Sequence, residues 1–244
     1  MCYFSFNILN YIFEERTNNH LNDTLINIAV TKIDSNLDKN LEDKIKENKL
    51  ENIDEGIDSI KIDFEALKQI NSDIVGWIYL ENTPINYPVV QSNDNDYYLR
   101  RLVDGTYNRA GTLFMDYRND KNMNDWNTII YGHNMKNNTM FGPIIGYKNQ
   151  SYYDEHKKIY YFTESQNYVI EPFAGYIEDA NSIIYNFSIN NEKDQIIKKA
   201  KLKSTFQSEV KINDNDKLVT LSTCSYEYED ARYVLLGKII KNNI

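Results

Sequence analysis

The chain has 244 residues, of which 41% are hydrophobic, and this is enough to bury the core of one moderate domain with an extension. The formal net charge is −9 and the lysines are interspersed with acidic residues, so the composition argues against a nucleic-acid-binding protein. Twenty Tyr and ten Phe against nine Gly and four Pro favour a β-rich body with aromatic packing.

The N-terminal part of the chain predicts helices. Residues 1–13 are apolar and aromatic but shorter than the ~18–20 residues that span a bilayer, and they lack the basic start and cleavage site of a signal peptide. Residues 22–61 are highly charged, with a narrow apolar stripe at helical spacing formed by Leu37, Leu41 and Ile45. A second short helix is expected after the N-cap residue Asp63, with one apolar face made of Phe64, Leu67 and Ile70.

The C-terminal part predicts strands around one more helix. Residues 167–177 are strand-like. A helix is predicted over 190–203, where apolar residues are spaced among charged ones. Two further strands are predicted over 217–224 and 232–240, because both are rich in apolar and β-branched residues. Residues 225–231 between them are polar enough to form a surface loop.

The last two predicted strands bring a thiol beside a guanidinium. In an antiparallel hairpin, Cys224 at the end of one strand and Arg232 at the start of the next become neighbours. A fixed positive charge makes a thiol easier to ionise, and the thiolate is the nucleophilic form, so the pair suggests covalent catalysis. The candidate proton carrier is His133, which follows an apolar strand and a Gly that permits a tight turn, whereas His20 and His156 have no such setting.

Each of these residues also has a purely structural interpretation. A Cys in an apolar strand is usually a small core residue, a His after a Gly is often a turn residue, and an Arg is commonly a solvated charge. Cys2 and Cys224 are the only cysteines, so neither a disulfide scaffold nor a zinc site is predicted. The acidic runs at 93–96 and 213–216 lack the Gly and Glu of a calcium loop and are interpreted as turns.

Thr220-Leu221-Ser222-Thr223-Cys224, the Arg that follows it and the Gly-His pair upstream are similar to the active-site signature of the sortases. Sortases are cysteine transpeptidases of Gram-positive bacterial surfaces. Residues 71–78, 85–91 and 111–117 further resemble successive core strands of class B sortases. The resemblance covers about residues 62–240.

This resemblance implies a mainly β fold: a sortase-like closed β-barrel of about eight strands, with N-terminal helices and a helix in the connection before the Cys strand. It assigns residues 62–244 to the catalytic domain, 22–61 to a charged helical stalk or N-terminal helix, and 1–21 to a partial membrane-anchor-like segment. The beginning of that anchor would precede the given sequence, and a short amphipathic helix packed on the body is the alternative. The expected location is the extracellular face of the cell membrane.

The implied reaction is a transpeptidation in two halves. The Cys224 thiolate attacks the carbonyl of a Thr in the C-terminal sorting motif of a surface protein, and His133 protonates the leaving amine. A peptidoglycan amino group then takes the acyl group from the thioacyl intermediate. Arg232 stabilises the oxyanion or orients the scissile carbonyl, and no cofactor is required.

The resemblance also carries over substrate-binding residues. Asn95 and Leu99 match positions that line the groove for the start of the sorting motif. Ser222 lies on the same strand face as Cys224, next to Thr223. Two other functions stay open: a cysteine peptidase or hydrolase with the same site, which releases peptides to water, and a noncatalytic cell-surface β-barrel binding module.

Overall fold

The structure, a computed structural model, describes residues 2–32, 60–185 and 193–242. The helices are α1 (Cys2–Ala29), α2 (Phe64–Ile70), α3 (Gln150–Glu155) and α4 (Lys193–Lys203). The strands are β1 (Val30–Lys32), β2 (Ile60–Ile62), β3 (Ile74–Tyr79), β4 (Asn86–Val90), β5 (Leu113–Met115), β6 (Asn127–Tyr131), β7 (Ile159–Phe162), β8 (Asn167–Asp179), β9 (Leu218–Cys224) and β10 (Ala231–Asn242). Short 3-10 segments lie at Tyr97–Arg100, Gly142–Lys148 and Ile183–Tyr185.

Eight strands close into a barrel in the order β10-β8-β7-β3-β4-β5-β6-β9, with β9 paired back to β10. The pairs β4–β5 and β6–β9 are parallel, and the other neighbours are antiparallel. The predicted closed barrel of about eight strands is confirmed, with helices before it and α4 in the connection that precedes β9.

Alternation along β9 decides which side chains enter the barrel. Val219 and Leu221 pack in the interior core, whereas Leu218 belongs to a separate apolar layer outside the sheet. Because successive side chains of a strand point to opposite faces, Ser222 and Cys224 share the outer face with Leu218. The candidate nucleophile therefore lies outside the barrel core.

Helices cover two outer faces of the barrel. On one side, α4 places Ile196 and Ala200 against apolar residues of β8 and β10, including Phe173 and Val234. On the other side, α1 and α2 form a layer with the sheet that contains Leu25, Ala29, Phe64, Leu67 and Trp77. The predicted N-cap of α2 is confirmed, since the Asp63 side chain accepts a hydrogen bond of 2.9 Å from the Ala66 N–H.

The N-terminal helix is attached to the body. It runs across the predicted boundary between residues 21 and 22 without a break. Side chains of Asn108 and Asn137 donate hydrogen bonds of 2.8 Å to the Glu14 carbonyl and the Glu15 carboxylate. Among the helices of the described ranges, none is both long and apolar enough to span a membrane.

Two short strands flank a segment that is not described. β1 and β2 form a two-stranded antiparallel sheet that was not predicted from the sequence. The predicted apolar stripe of Leu37, Leu41 and Ile45 lies outside the described residues, as do the first residues of the helix predicted over 190–203. The described part of that helix, α4, begins at Lys193.

Candidate active site

Cys224 and Arg232 are direct cross-strand neighbours. β9 and β10 pair antiparallel with Cys224 opposite Arg232, as the hairpin prediction required. Side chains of directly opposite residues lie on the same face with Cβ atoms about 4.5–5.5 Å apart. Both residues are half-buried, so the thiol and the guanidinium are sheltered but accessible to a ligand.

His133 reaches the same face through the parallel pairing of β6 with β9. The ladder continues beyond β6, where the Gly132 N–H donates a 3.1 Å hydrogen bond to the Ser222 carbonyl. A Cβ at Gly132 would lie 2.3 Å from a Leu113 methyl and 2.7 Å from the Phe141 ring, so any larger residue would force these side chains to move. The next residue, His133, is thereby placed beside the end of the Cys strand.

The His133 ring is held by a main-chain carbonyl. Its Nε2 lies 2.7 Å from the Leu99 carbonyl oxygen, which only accepts, so Nε2 carries a proton. The pKa of His133 is lowered, chiefly by burial and further by the positive charges of Arg100 and Arg232, against the opposing effect of the Leu99 hydrogen bond. The neutral imidazole therefore has Nδ1 as its unprotonated nitrogen.

The three candidate catalytic residues line one cavity of about 330 Å³. Every substrate-binding residue that the family resemblance implied lines it too: Asn95, Leu99, Ser222 and Thr223. The rest of the lining comprises Thr112, Phe114, Arg118, Tyr131, Gly132, Ala180 and Tyr185. One concave site thus combines a thiol, an imidazole, two guanidinium groups and an aromatic wall.

A buried carboxylate organises one end of this cavity. Asp116 is fully buried and accepts hydrogen bonds from Asn95 Nδ2 (3.0 Å), Tyr131 Oη (2.9 Å) and the Arg118 Nε and Nη2 atoms (both 2.8 Å). Burial alone would raise the pKa of Asp116, but the hydrogen bonds from Arg118, Asn95 and Tyr131 outweigh it and lower the pKa. The carboxylate is therefore ionised and fixes the orientation of three lining residues.

Tyr185 is a lining residue that no sequence pattern predicted. Its hydroxyl is hydrogen-bonded to Ser222 Oγ at 2.9 Å, and burial raises its pKa to about 12. Its backbone carbonyl accepts a hydrogen bond of 3.1 Å from Arg118 Nη2. No local motif marks it, since it is one of twenty tyrosines and reaches the site from the short 3-10 segment after β8.

The segments that carry His133 and Cys224 are tied to each other. Asn134 Nδ2 donates a 3.0 Å hydrogen bond to the Cys224 carbonyl, and Tyr226 Oη donates one of 3.3 Å to the Asn134 carbonyl. On the other side of the β9–β10 loop, Glu227 pairs with Lys148. These contacts restrain the loop that follows the candidate nucleophile.

The acidic runs form turns in the structure. The Asp94 side chain accepts hydrogen bonds from the backbone N–H groups of Asp96 (2.9 Å) and Tyr97 (2.7 Å), and the Asp216 N–H donates to the Asn213 carbonyl at 3.1 Å. Across the described ranges, His, Cys, Asp and Glu side chains form no cluster of three or more that could hold a metal ion.

Comparisons with known proteins agree on one family. The sortase domain family matches residues 78–240 of this chain. The chain is 38% identical over 186 residues to sortase B of Listeria monocytogenes, an alignment that covers 74% of this chain and 75% of that protein.

Solved structures give the same relationship. A crystal structure of sortase B from Bacillus anthracis, in complex with AAEK1, superposes with a TM-score of 0.75 and 34% identity, covering 95% of this chain and 100% of that one. The sortase B–substrate complex of Staphylococcus aureus superposes with a TM-score of 0.69 and 37% identity, covering 73% of this chain and 84% of that one.

Proposed function

Because this chain belongs to the sortase family, the cysteine transpeptidases of the cell wall, we propose that Cys224 is its nucleophile, His133 its proton carrier and Arg232 the group that stabilises the reacting carbonyl. The observation that carries this assignment is the direct pairing of Cys224 with Arg232 at a cavity that His133 also lines. It unites a nucleophile, an acid–base group and a fixed cation in one site.

The first half-reaction forms a thioacyl enzyme. The Cys224 thiolate attacks the carbonyl carbon of a Thr in a C-terminal sorting motif, and the developing oxyanion is stabilised by the Arg232 guanidinium. Collapse of the tetrahedral species breaks the peptide C–N bond. His133 in its protonated form gives a proton to the departing amine, which leaves with the C-terminal part of the substrate.

The second half-reaction transfers the acyl group. An amino group of peptidoglycan attacks the thioester carbonyl and loses a proton to the now neutral His133. Expulsion of the Cys224 thiolate forms the new amide bond and regenerates the imidazolium–thiolate pair. No redox step and no cofactor enters this sequence.

The hydrogen bond from His133 to Leu99 indicates which ring nitrogen moves the proton. Nε2 keeps its proton because it donates to the Leu99 carbonyl. Nδ1 is therefore the atom that gives a proton to the leaving amine and takes one from the acceptor. The carbonyl also favours the imidazolium, partly offsetting the burial that lowers the pKa of His133.

The remainder of the cavity is proposed to bind the sorting motif. Asn95 lies at the end organised by Asp116, and Leu99 contributes an apolar side chain beside the His133 contact. Ser222 and Thr223 line the wall on the strand of the nucleophile. A substrate complex of the Staphylococcus aureus relative has been solved, which supports a peptide-binding role for the corresponding region here.

The partners proposed for the chain are surface proteins with a C-terminal sorting motif, a peptidoglycan amine as acceptor, and the outer face of the cell membrane. Attachment to the membrane would come through the N-terminal segment, residues 1–21. This assignment rests on the family resemblance.

A peptide-cleavage assay tests the assignment of the nucleophile. Cys224→Ala should abolish cleavage of a sorting-motif peptide without unfolding the chain, because the change removes the covalent route and little packing. Cys2→Ala, which removes the other thiol, is the matched control and should retain full activity. Substantial cleavage by the Cys224 variant would exclude the proposed mechanism.

Two further measurements separate the alternatives. Product analysis with and without an added amine distinguishes acyl transfer from hydrolysis to water, since both share the first half-reaction. Alkylation of Cys224 by a thiol reagent tests the noncatalytic binding module, in which the thiol would be inert. The half-buried position of Cys224 at a cavity favours a reactive thiol.

A further inference from the structure

Arg232 has a carboxylate as its second cross-strand neighbour. β10 lies between β9 and β8, and Arg232 is opposite Cys224 on one side and opposite Glu178 on the other. Directly opposite residues share a face of the sheet, so the thiol, the guanidinium and the carboxyl group form one row across three strands. The catalytic cation therefore has an anionic neighbour on each side once the thiol ionises.

Glu178 is buried and ionised. It is 6% exposed, and its carboxylate pairs with Lys199 of α4 and accepts a 3.1 Å hydrogen bond from the Asp179 N–H. Burial by itself would raise the pKa of Glu178, but the Lys199 hydrogen bond, the Asp179 N–H and the charges of Lys199 and Lys203 lower it overall. A carboxylate in this setting keeps its charge throughout the neutral pH range.

Arg232 does not use this neighbouring carboxylate. Among the described residues, no acidic group is within 4.0 Å of its guanidinium, and Nη1 donates instead to the Ala231 carbonyl at 3.1 Å. Its charge acts on His133 and Tyr185, both of which line the cavity. The guanidinium therefore lines the active-site cavity without an ion pair to Glu178.

A second cation is needed to keep the Arg232 guanidinium and the Glu178 carboxylate from pairing with each other. A carboxylate opposite an Arg in a sheltered site forms a strong, often bidentate pair, because both ions are poorly hydrated there. That pair would draw the guanidinium across the sheet towards β8 and away from Cys224. Lys199 removes this competition by occupying the Glu178 carboxylate from the helix side.

We propose that Lys199 is a positioning residue for catalysis: by neutralising Glu178 it keeps the Arg232 guanidinium directed at Cys224 and the scissile carbonyl. The role makes α4 part of the catalytic apparatus rather than only a cover for the sheet. The proposal rests on the function proposed for Arg232, and its test is chosen so that the two can fail separately.

The decisive test is a rescue experiment on the purified chain with a sorting-motif peptide. Lys199→Met keeps the aliphatic stem and should lower kcat about tenfold, less than the 10²–10³ expected for outright loss of an oxyanion donor. The double variant Lys199→Met with Glu178→Gln removes the competing charge as well and should return kcat to within about threefold of the parent. Lys201→Met, an exposed residue of the same helix, is the matched control and should not change kcat.

A purely structural pair would also regain stability in the double variant, because Glu178→Gln removes the unpaired buried charge, so kcat is compared only between variants that are fully folded at the assay temperature. A kcat of the double variant as low as that of Lys199→Met overturns the proposal, and so does an unchanged kcat in folded Lys199→Met. If Lys199→Met does not fold, Lys199→Gln takes its place in the same comparison. Thermal unfolding of every variant establishes that the chains compared are folded.

The Arg232→Ala background separates this inference from the proposed function. If Arg232 stabilises the carbonyl and Lys199 acts through it, Arg232→Ala lowers kcat strongly and Lys199→Met adds no further loss. Full activity of Arg232→Ala would refute the function proposed for Arg232. A low kcat in Arg232→Ala with a further tenfold loss from Lys199→Met would leave that function standing and refute the role of Lys199.

Discussion

Replacing Asp116 by Asn should destabilise the chain and impair the site at once. The substitution keeps the shape of the side chain but removes the negative charge of the carboxylate, which accepts hydrogen bonds from Arg118, Asn95 and Tyr131. It also replaces one accepting oxygen by an NH2 group, which would face the hydrogen-bond donors of these residues. Breaking a buried ion pair costs about 3–5 kcal/mol. The Arg118 side chain is 38% exposed and stays hydrated without its partner, so we expect about 3 kcal/mol, the lower end of that range.

The pH dependence of this loss follows from the lowered pKa of Asp116. A carboxyl group whose pKa is lower in the folded chain contributes stability that is fully present above its unfolded pKa of about 3.9 and is lost as the pH falls through the folded value. Parent and Asp116→Asn should therefore differ by nearly the same amount from neutral pH down to about pH 4, and converge only as the pH falls further through the folded pKa of Asp116.

Urea unfolding at pH 7 and at about pH 2, well below the unfolded pKa, measures the loss and its pH dependence. At pH 7, kcat/KM for a sorting-motif peptide should also fall, because Asn95 and Tyr131 lose their shared acceptor. Asp96→Asn is the control: this residue is exposed beside the same segment, and its change should stay within about 0.5 kcal/mol. A loss for Asp116→Asn as small as that of the control, or one that is equal at both pH values, would refute the reasoning.

Three further outcomes are expected. His133→Ala should lower kcat/KM roughly 10²–10⁴-fold and flatten a bell-shaped pH profile, and a near-normal rate would remove His133 from the mechanism. Arg232→Lys should be nearly as damaging to kcat as Arg232→Ala, because a hydrated ammonium cannot reproduce a planar fork, whereas full activity in the Lys variant would exclude a geometric role. Gly132→Ala should cost about 1–3 kcal/mol in urea unfolding through overpacking against Leu113 and Phe141, and unchanged stability would contradict the observed close approach.

The hairpin at the active site was predictable because its signals are local. Strand-like runs on both sides of a short polar segment were enough to predict that Cys224 lies opposite Arg232, and the pairing is as expected. The Gly before His133 was expected to permit a tight turn, but in the structure Gly132 continues the pairing with β9 and is packed closely against Leu113 and Phe141. The family resemblance supplied what local signals do not, namely closure of the strands into a barrel of eight.

The residues that support the site were not predictable, because their partners are distant along the chain. Asp116 belongs to a segment quoted for its strand, yet nothing local shows that Asn95 and Tyr131 converge on it. The pairing of Glu178 with Lys199 depends on where α4 lies against β8. The strands β1 and β2 are only three residues each, too short for an alternating pattern to be recognised.

The parallel pairing of β6 with β9 determines when the active site assembles during folding. Because β9 and β10 complete the ring, β6 has an open edge until the end of the barrel has been synthesised and docked. Such long-range pairing forms late and raises the contact order of the chain. Cys224 consequently meets His133, its proposed proton carrier, only on closure of the barrel. Under the proposed mechanism, completion of folding is therefore the step that activates the enzyme.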